Sequence, residues 1–168
     1  MHMPTIVVGV DGEPASHSAL RVALDEATLR HGRVLAVACW SPGENHLPWR
    51  PDGRDSDTRE KAEQLIREAL EAVAADSQER AMIVRETCED EPGPALVRTS
   101  HGADFLVIGS TTRSQLTRHV GKATVDHCLR FSDVPVIVVP CAPSGFEGVD
   151  LESELRQNSD DKPADISL

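Results

Sequence analysis

The residues whose types and spacing could do chemistry stand between Ala103 and Pro140, in the stretch ADFLVIGSTTRSQLTRHVGKATVDHCLRFSDVPVIVVP. The apolar run Phe105 to Ile108 stops at Gly109, and a polar loop follows. Ser110, Thr111, Thr112 and Thr124 supply hydroxyls, and Arg113, Arg118 and Lys122 supply positive charge. Gly109 and Gly121 would let the backbone approach a ligand closely or adopt positive φ. A loop that leaves the carboxyl end of a strand and enters a helix presents unpaired amides at the positive end of the helix dipole, which suits a phosphate. The same residues equally suit a plain strand-to-helix connection with a solvated basic loop, because glycine-rich loops are common in α/β proteins.

Around that loop the pattern is one of alternating strands and helices. Thr5 to Val10 is apolar throughout and reads as a central strand ending at Asp11-Gly12. Pro14 suits a first helical turn. Leu20, Ala23, Leu24 and Ala27 then form an apolar stripe that Gly32 ends. Val34 to Trp40 is a second strand, followed by a proline-rich charged loop from Ser41 to about Asp57 that holds Trp49. From Thr58 to about Asp76, Ala62, Leu65, Ile66, Ala69, Leu70 and Val73 keep helical spacing on one face, so this is a packing helix. Ala81 to Arg85 reads as a short third strand at an edge, and Glu86 to Pro94 as an acidic loop leading into a helix from Pro94 to His101. Phe105 to Ile108 is the fourth strand. A helix then starts near Val120 and Gly121, with Val120, Ala123, His127, Cys128 and Phe131 at helical spacing, and Val136 to Val139 is the fifth strand. His127 on that inner face is expected to be a hydrogen-bonded core residue. The natural outcome is a doubly wound, five-stranded parallel sheet in the order 3-2-1-4-5 with helices on both faces. Strands 1 and 4 then meet at the switch point, with Asp11 and the Gly109 loop on opposite lips of one crevice. There Asp11 could meet a ligand or merely cap a turn.

The stretch Ala103–Pro140, together with IVVGVDGEPASHSAL near the start, resembles the universal stress protein family. The likeness covers roughly Thr5 to Pro140. The family pattern is an apolar strand ending in G-x2-G-x9-G-[ST], then a helix, then a P-[VI]-[LIV]-V-V strand, and this chain matches it with ADFLVIGS, Gly121 and VPVIVVP. Thr112 stands where the second glycine is expected, eight residues separate it from Gly121, and Lys122 stands where Ser or Thr would follow. The resemblance implies a Rossmann-like fold, called adenine nucleotide alpha hydrolase-like. It also implies a site for ATP or another adenine nucleotide built from Asp11, Cys39, Gly109, Ser110, Thr112, Gly121, Lys122, Ala123 and Thr124. Asp11 and Cys39 would lie at the nucleoside, the loop glycines with Ser110 and Thr124 at the phosphates, and Lys122 would replace a hydroxyl contact by a charge. It further implies a homodimer paired through the last strand, Val136, Ile137, Val138 and Val139, which would otherwise be an exposed apolar edge. If position 112 needs positive φ, a β-branched residue there costs roughly 1–2 kcal/mol, or about 5–30-fold in affinity. The alternative is a dimeric protein-interaction module of the same fold whose pocket has decayed.

Composition narrows the remaining classes. The 168 residues suit one domain, with residues 1–141 as the α/β unit and 142–168 as an acidic, flexible segment. That segment carries Glu147, Asp150, Glu152, Glu154, Asp160, Asp161 and Asp165 against Arg156 and Lys162, and Val149, Leu151 and Leu155 could form one amphipathic turn against a partner chain. A net charge of -11 argues against nucleic acid or anionic membrane as partner. No apolar run approaches bilayer-spanning length, and MHMPTIVVGVDG lacks a signal-peptide pattern, so the expected location is cytoplasmic. Cys39, Cys88, Cys128 and Cys141 form no C-x-x-C pair and the His residues no H-x3-H, so neither a disulfide nor a metal is expected. An enzyme is not expected. Leu116 and Ala123 break any P-loop, no G-x-S-x-G exists, and no general base presents itself, although slow ATP hydrolysis stays open.

Overall fold

The structure, a computed structural model, describes residues 3–40, 59–74, 81–110 and 118–141. Its elements alternate as β1 (Thr5–Gly9), α1 (Pro14–Leu29), β2 (Arg33–Trp40), α2 (Arg59–Ala74), β3 (Met82–Glu89), α3 (Pro92–Ser100), β4 (Phe105–Ser110), α4 (Arg118–Phe131) and β5 (Val136–Pro140). The five strands form one parallel sheet in the order β3-β2-β1-β4-β5. This is the order read from the alternation of apolar runs and amphipathic helices. The chain winds leftward through α1 and α2, then rightward through α3 and α4. Because each parallel crossover is right-handed, the two directions put the helix pairs on opposite faces.

The core divides accordingly. Ile6, Val8, Val34, Ala36, Ala38 and Val107 pack under α1 and α2, joined by Leu20, Ala23, Ala27, Ala62, Ile66 and Val73. Val7, Val37, Leu106 and Ile108 pack on the other face with Ala95 and Leu96 of α3 and Cys128 of α4. Alternate strand residues thus face opposite layers, and both are apolar, as a sheet covered on both sides requires. The aliphatic stripes of α1 and α2 are buried as their spacing predicts.

Three expectations need correcting. The third strand is not a short one ending at Arg85. It runs to Glu89, and every residue from Met82 to Glu89 has a β2 partner, so Thr87, Cys88 and Glu89 are strand rather than acidic loop. Pairing with β2 and burial of Cys88 override the low strand propensity of that acidic run. Helices α3 and α4 begin at Pro92 and Arg118, earlier than Pro94 and Val120. The inner face of α4 is also narrower than its spacing suggests: Cys128 is buried, but Ala123 is exposed and Phe131 is 61% exposed. This helix lies over the end of the sheet, where β5 has no further neighbour among the described residues to widen the apolar floor. His127 is half-buried. A Cβ on Gly93 of α3 would come within 2.9 Å of its Cβ, and its ring lies 4.6 Å from that of Phe131. The loop 41–57 and the segment 142–168 lie outside the described residues.

One close approach fixes α1 on the sheet. A Cβ on Gly109 would stand 2.5 Å from the carbonyl oxygen of Ala15 and 2.7 Å from the amide nitrogen of Ser16. Backbone rests on backbone there, so nothing can rotate away. Gly109→Ala is therefore expected to destabilise the fold by about 1–3 kcal/mol, as overpacking does. Urea unfolding followed by far-UV circular dichroism measures this, and an unchanged midpoint would show that α1 can slide.

Candidate functional site

The carboxyl edge of the sheet parts at one seam. Strands β1 and β4 pair only at Ile6–Phe105, Val7–Leu106 and Val8–Val107. Beyond that, β1 stays with β2: Gly9 pairs with Val37, and the Val10 amide donates to the Val37 carbonyl at 2.8 Å. In the same way β4 stays with β5, through Gly109–Val139, Ser110–Pro140 and the Cys141 amide donating to the Ser110 carbonyl at 3.0 Å. Asp11 and Ser110 each stand three residues past the last β1–β4 pair, on the two sides of the parting. Cys39 stands two residues past Val37, as Asp11 does past Gly9. The fold thus brings Asp11, Cys39, Gly109 and Ser110 to one edge.

The lip on the β1 side is built by a turn. Gly12 has φ of +78°, and the Asp11 carboxylate accepts the Glu13 amide at 2.9 Å through Oδ1. That is the turn-capping role open to Asp11, and it leaves the second carboxylate oxygen on an exposed side chain. Pro14 then opens α1, whose N-cap Glu13 makes no side-chain cap. The buried Ser16 hydroxyl donates to the Glu13 carbonyl at 2.9 Å. The α1 N-terminus beside the parting was missed at the level of sequence. Its signal was present as Asp11-Gly12-Glu13-Pro14, a turn residue, a glycine and a helix-starting proline in succession.

On the β4 side, what fills the space left by Gly109 is Ala15 of α1. Ser110 is half-buried, and Thr112 lies outside the described residues. Because α4 starts at Arg118, its unpaired amides fall in the turn that begins there. The amides of Lys122, Ala123 and Thr124 lie inside the helix, where each bonds back four residues. Ala123 is exposed and Thr124 half-buried.

Cys39 faces the α3 layer, on β2 directly opposite Cys88 of β3. Burial above all, then the charges of Cys88 and Asp90, pushes its thiol up to about 12, against a lowering by Arg98. Burial likewise pushes Cys128 up to about 11. Both are neutral and weakly polar at physiological pH, so they line space rather than attack. Asp90 donates no proton here. Its hydrogen bond from Arg98 Nη1 at 2.7 Å, then one from the Glu91 amide, hold its carboxyl below the usual range. Among the described residues no group of three or more His, Cys, Asp or Glu side chains could hold a metal, and no helix is long and apolar enough to cross a membrane. Two clefts, of about 350 and 420 Å³, lie elsewhere, beside Met3 and Gly32 and beside α2.

Comparison with known proteins agrees with this geometry. The family model described as "Universal stress protein family" matches residues 3–140. Universal stress protein Rv2005c of Mycobacterium tuberculosis is 37% identical over 142 residues, which cover 82% of this chain and 45% of the relative. The chain therefore spans about half the length of the curated relatives it matches. A universal stress protein solved in complex with cAMP superposes with a TM-score of 0.61 at 20% identity, over 84% of this chain and all of the other. The universal stress protein of Archaeoglobus fulgidus in complex with dAMP superposes with a TM-score of 0.57 at 22% identity, over 82% and 98% of the two chains.

With thiols held near 11 and 12, only about one in a thousand to one in ten thousand is ionised at pH 8. Iodoacetamide at that pH should leave Cys39 and Cys128 unmodified in the folded protein and label all four cysteines after denaturation. Peptide mass spectrometry reads this directly, and rapid labelling of Cys39 in the folded chain would show that its wall is open.

Proposed function

This chain belongs to the universal stress protein family, and on that premise we propose that it binds ATP or a related adenine nucleotide where the carboxyl ends of β1 and β4 part, and that it acts as a nucleotide-dependent regulatory dimer. The observation that carries this is the parting itself: β1 follows β2 and β4 follows β5, so the two strands diverge at the switch point, the place where open parallel sheets take ligands. The adenine base common to the cAMP and dAMP of two structural neighbours supports the choice of ligand. In this reading the free oxygen of Asp11 and the neutral Cys39 thiol meet the nucleoside. Gly109, Ser110, Thr112, Gly121 and Ala123 border the phosphates, the Thr124 hydroxyl and the Lys122 charge contact them, and the amides opening α4 complete the phosphate end. The product is a bound state that signals, not a turnover.

A second reading, a dimeric interaction module without nucleotide, is favoured by two observations. Ala15 fills the space beside Gly109, and the amides of Lys122, Ala123 and Thr124 are inside the helix. Both readings share the dimer. Among the described residues β5 is the outermost strand, and Val136, Ile137, Val138 and Val139 are only half-buried. Pairing that edge with a second copy would satisfy its free backbone groups and cover the aliphatic side chains.

Mass spectrometry of the denatured, freshly purified protein, followed by calorimetric titration with ATP, separates the two readings. Binding that weakens at least about tenfold in Gly121→Asp, where a carboxylate meets phosphate, and is unchanged in Glu71→Gln on exposed α2, is the expected result. No carried nucleotide and no heat would leave the second reading, and Thr112→Gly would then show whether one residue restores the site. Sedimentation at roughly tens of micromolar should give a dimer, and a monomer alone would remove the β5 pairing from both.

A further inference from the structure

Two cysteines far apart in the chain stand opposite one another in the sheet. Cys39 of β2 and Cys88 of β3 are register partners, with Ala38–Thr87 before them and Trp40–Glu89 after. Neighbouring strands run about 4.7–4.9 Å apart, inside the roughly 4.4–6.8 Å between Cα atoms that a disulfide spans. Both side chains leave the same face, because Cys39 packs against the α3-layer cluster of which Cys88 is a buried member. The ladder is held on either side of the pair, and just beyond it the Asp90 amide donates to the Trp40 carbonyl at 3.0 Å. Both cysteines are free thiols. Cys88 Sγ donates to Glu86 Oε1 at 3.8 Å and lies 3.8 Å from Thr99 Oγ1. Glu86 is exposed, so water can take over its carboxylate when the sulfur turns toward Cys39. Joining the two sulfurs therefore asks for side-chain rotation and leaves the strand register as it is. Cys128 lies on α4 and Cys141 follows β5, so the register offers Cys39 no cysteine but Cys88.

We propose that Cys39 and Cys88 form a reversible disulfide, a covalent strap between the carboxyl ends of β2 and β3, made by exchange with a small-molecule disulfide such as oxidised glutathione. One protein thiol loses its proton to solvent, and its sulfur attacks the small disulfide, whose S–S bond breaks and releases a thiolate. The second protein thiol, deprotonated in turn, attacks the mixed disulfide and displaces the other small thiolate. Both released thiolates take up the protons. The protein gives up an electron pair, the small disulfide accepts it, and one S–S bond has replaced another. Burial pushes the Cys39 thiol up to about 12 and pushes that of Cys88 up as well, the latter against the hydrogen bond of Thr99. Exchange is therefore slow. The reduced pair also gains no stability as thiolate, so the bond resists reduction once made. It closes the long loop from residue 39 to residue 88 and so restricts the unfolded chain. The strap holds β3, which has no outer neighbour among the described residues. It is independent of the nucleotide reading, and its test uses no nucleotide.

Equilibration of the full-length protein with an about tenfold excess of oxidised over reduced glutathione tests this, run for about a day because uncatalysed exchange takes minutes to hours. After an acid quench, the remaining thiols are alkylated in denaturant, and the protein is digested without reduction and read by peptide mass spectrometry. The peptides of Cys39 and Cys88 should be linked to each other in most molecules, with neither joined to Cys128 or Cys141, while the intact mass stays that of a single chain. Dithiothreitol should release the link. The urea midpoint should rise on oxidation and return on reduction. The Cys128→Ala/Cys141→Ala variant should form the same link, and Cys88→Ser should leave Cys39 without a protein partner. A link in only a minority of molecules, a glutathione adduct alone, or joining of Cys39 or Cys88 to another cysteine or another chain overturns the proposal. So does a midpoint that fails to rise while circular dichroism shows the oxidised protein folded.

Discussion

The architecture of the carboxyl edge depends on the contact between Gly109 and the backbone of Ala15 and Ser16. At this point the end of β4 carries no side chain, so α1 can lie directly on it. The start of α1 is thereby set beside the seam where β1 and β4 stop pairing. Backbone against backbone is stiff, because neither partner has a rotamer to change. The same contact holds α1 across the place where the two strands part. β1 is held to β2 by the Val10 amide and β4 to β5 by Ser110 and Cys141, while α1 spans the seam from above.

The chemistry available at that edge is mild. Desolvation keeps the Cys39 and Cys128 thiols protonated, and the Asp11 carboxylate already serves its own turn. Such groups recognise and orient; they do not supply a nucleophile or a poised base.

The two edges of the sheet present different problems in physical terms. β5 is short, aliphatic and half-buried, so a like strand complements it. β3 is eight residues long and mixed in character on both faces, with Ile83, Arg85 and Thr87 on one and Met82, Val84 and Glu86 on the other.

By itself the sequence determined the layer order. Fully apolar runs at 5–10, 34–40, 105–108 and 136–139, separated by amphipathic helices, leave little but a doubly wound parallel sheet, because strands covered on both faces cannot alternate. It also marked the ends of the first and fourth strands as the place to look, through Asp11-Gly12 and Gly109. Tertiary structure decided what local pattern could not. Glu89 became strand because β2 offered eight partners and Cys88 found a buried position. Phe131 stayed outside because none of the described strands extends the floor beneath α4 beyond β5. Gly109 proved to be bare for Ala15, and the helix after it started early enough to enclose the amides of Lys122 to Thr124. Each of these depends on which distant backbone arrives at a given position, and propensity and spacing carry no information about that.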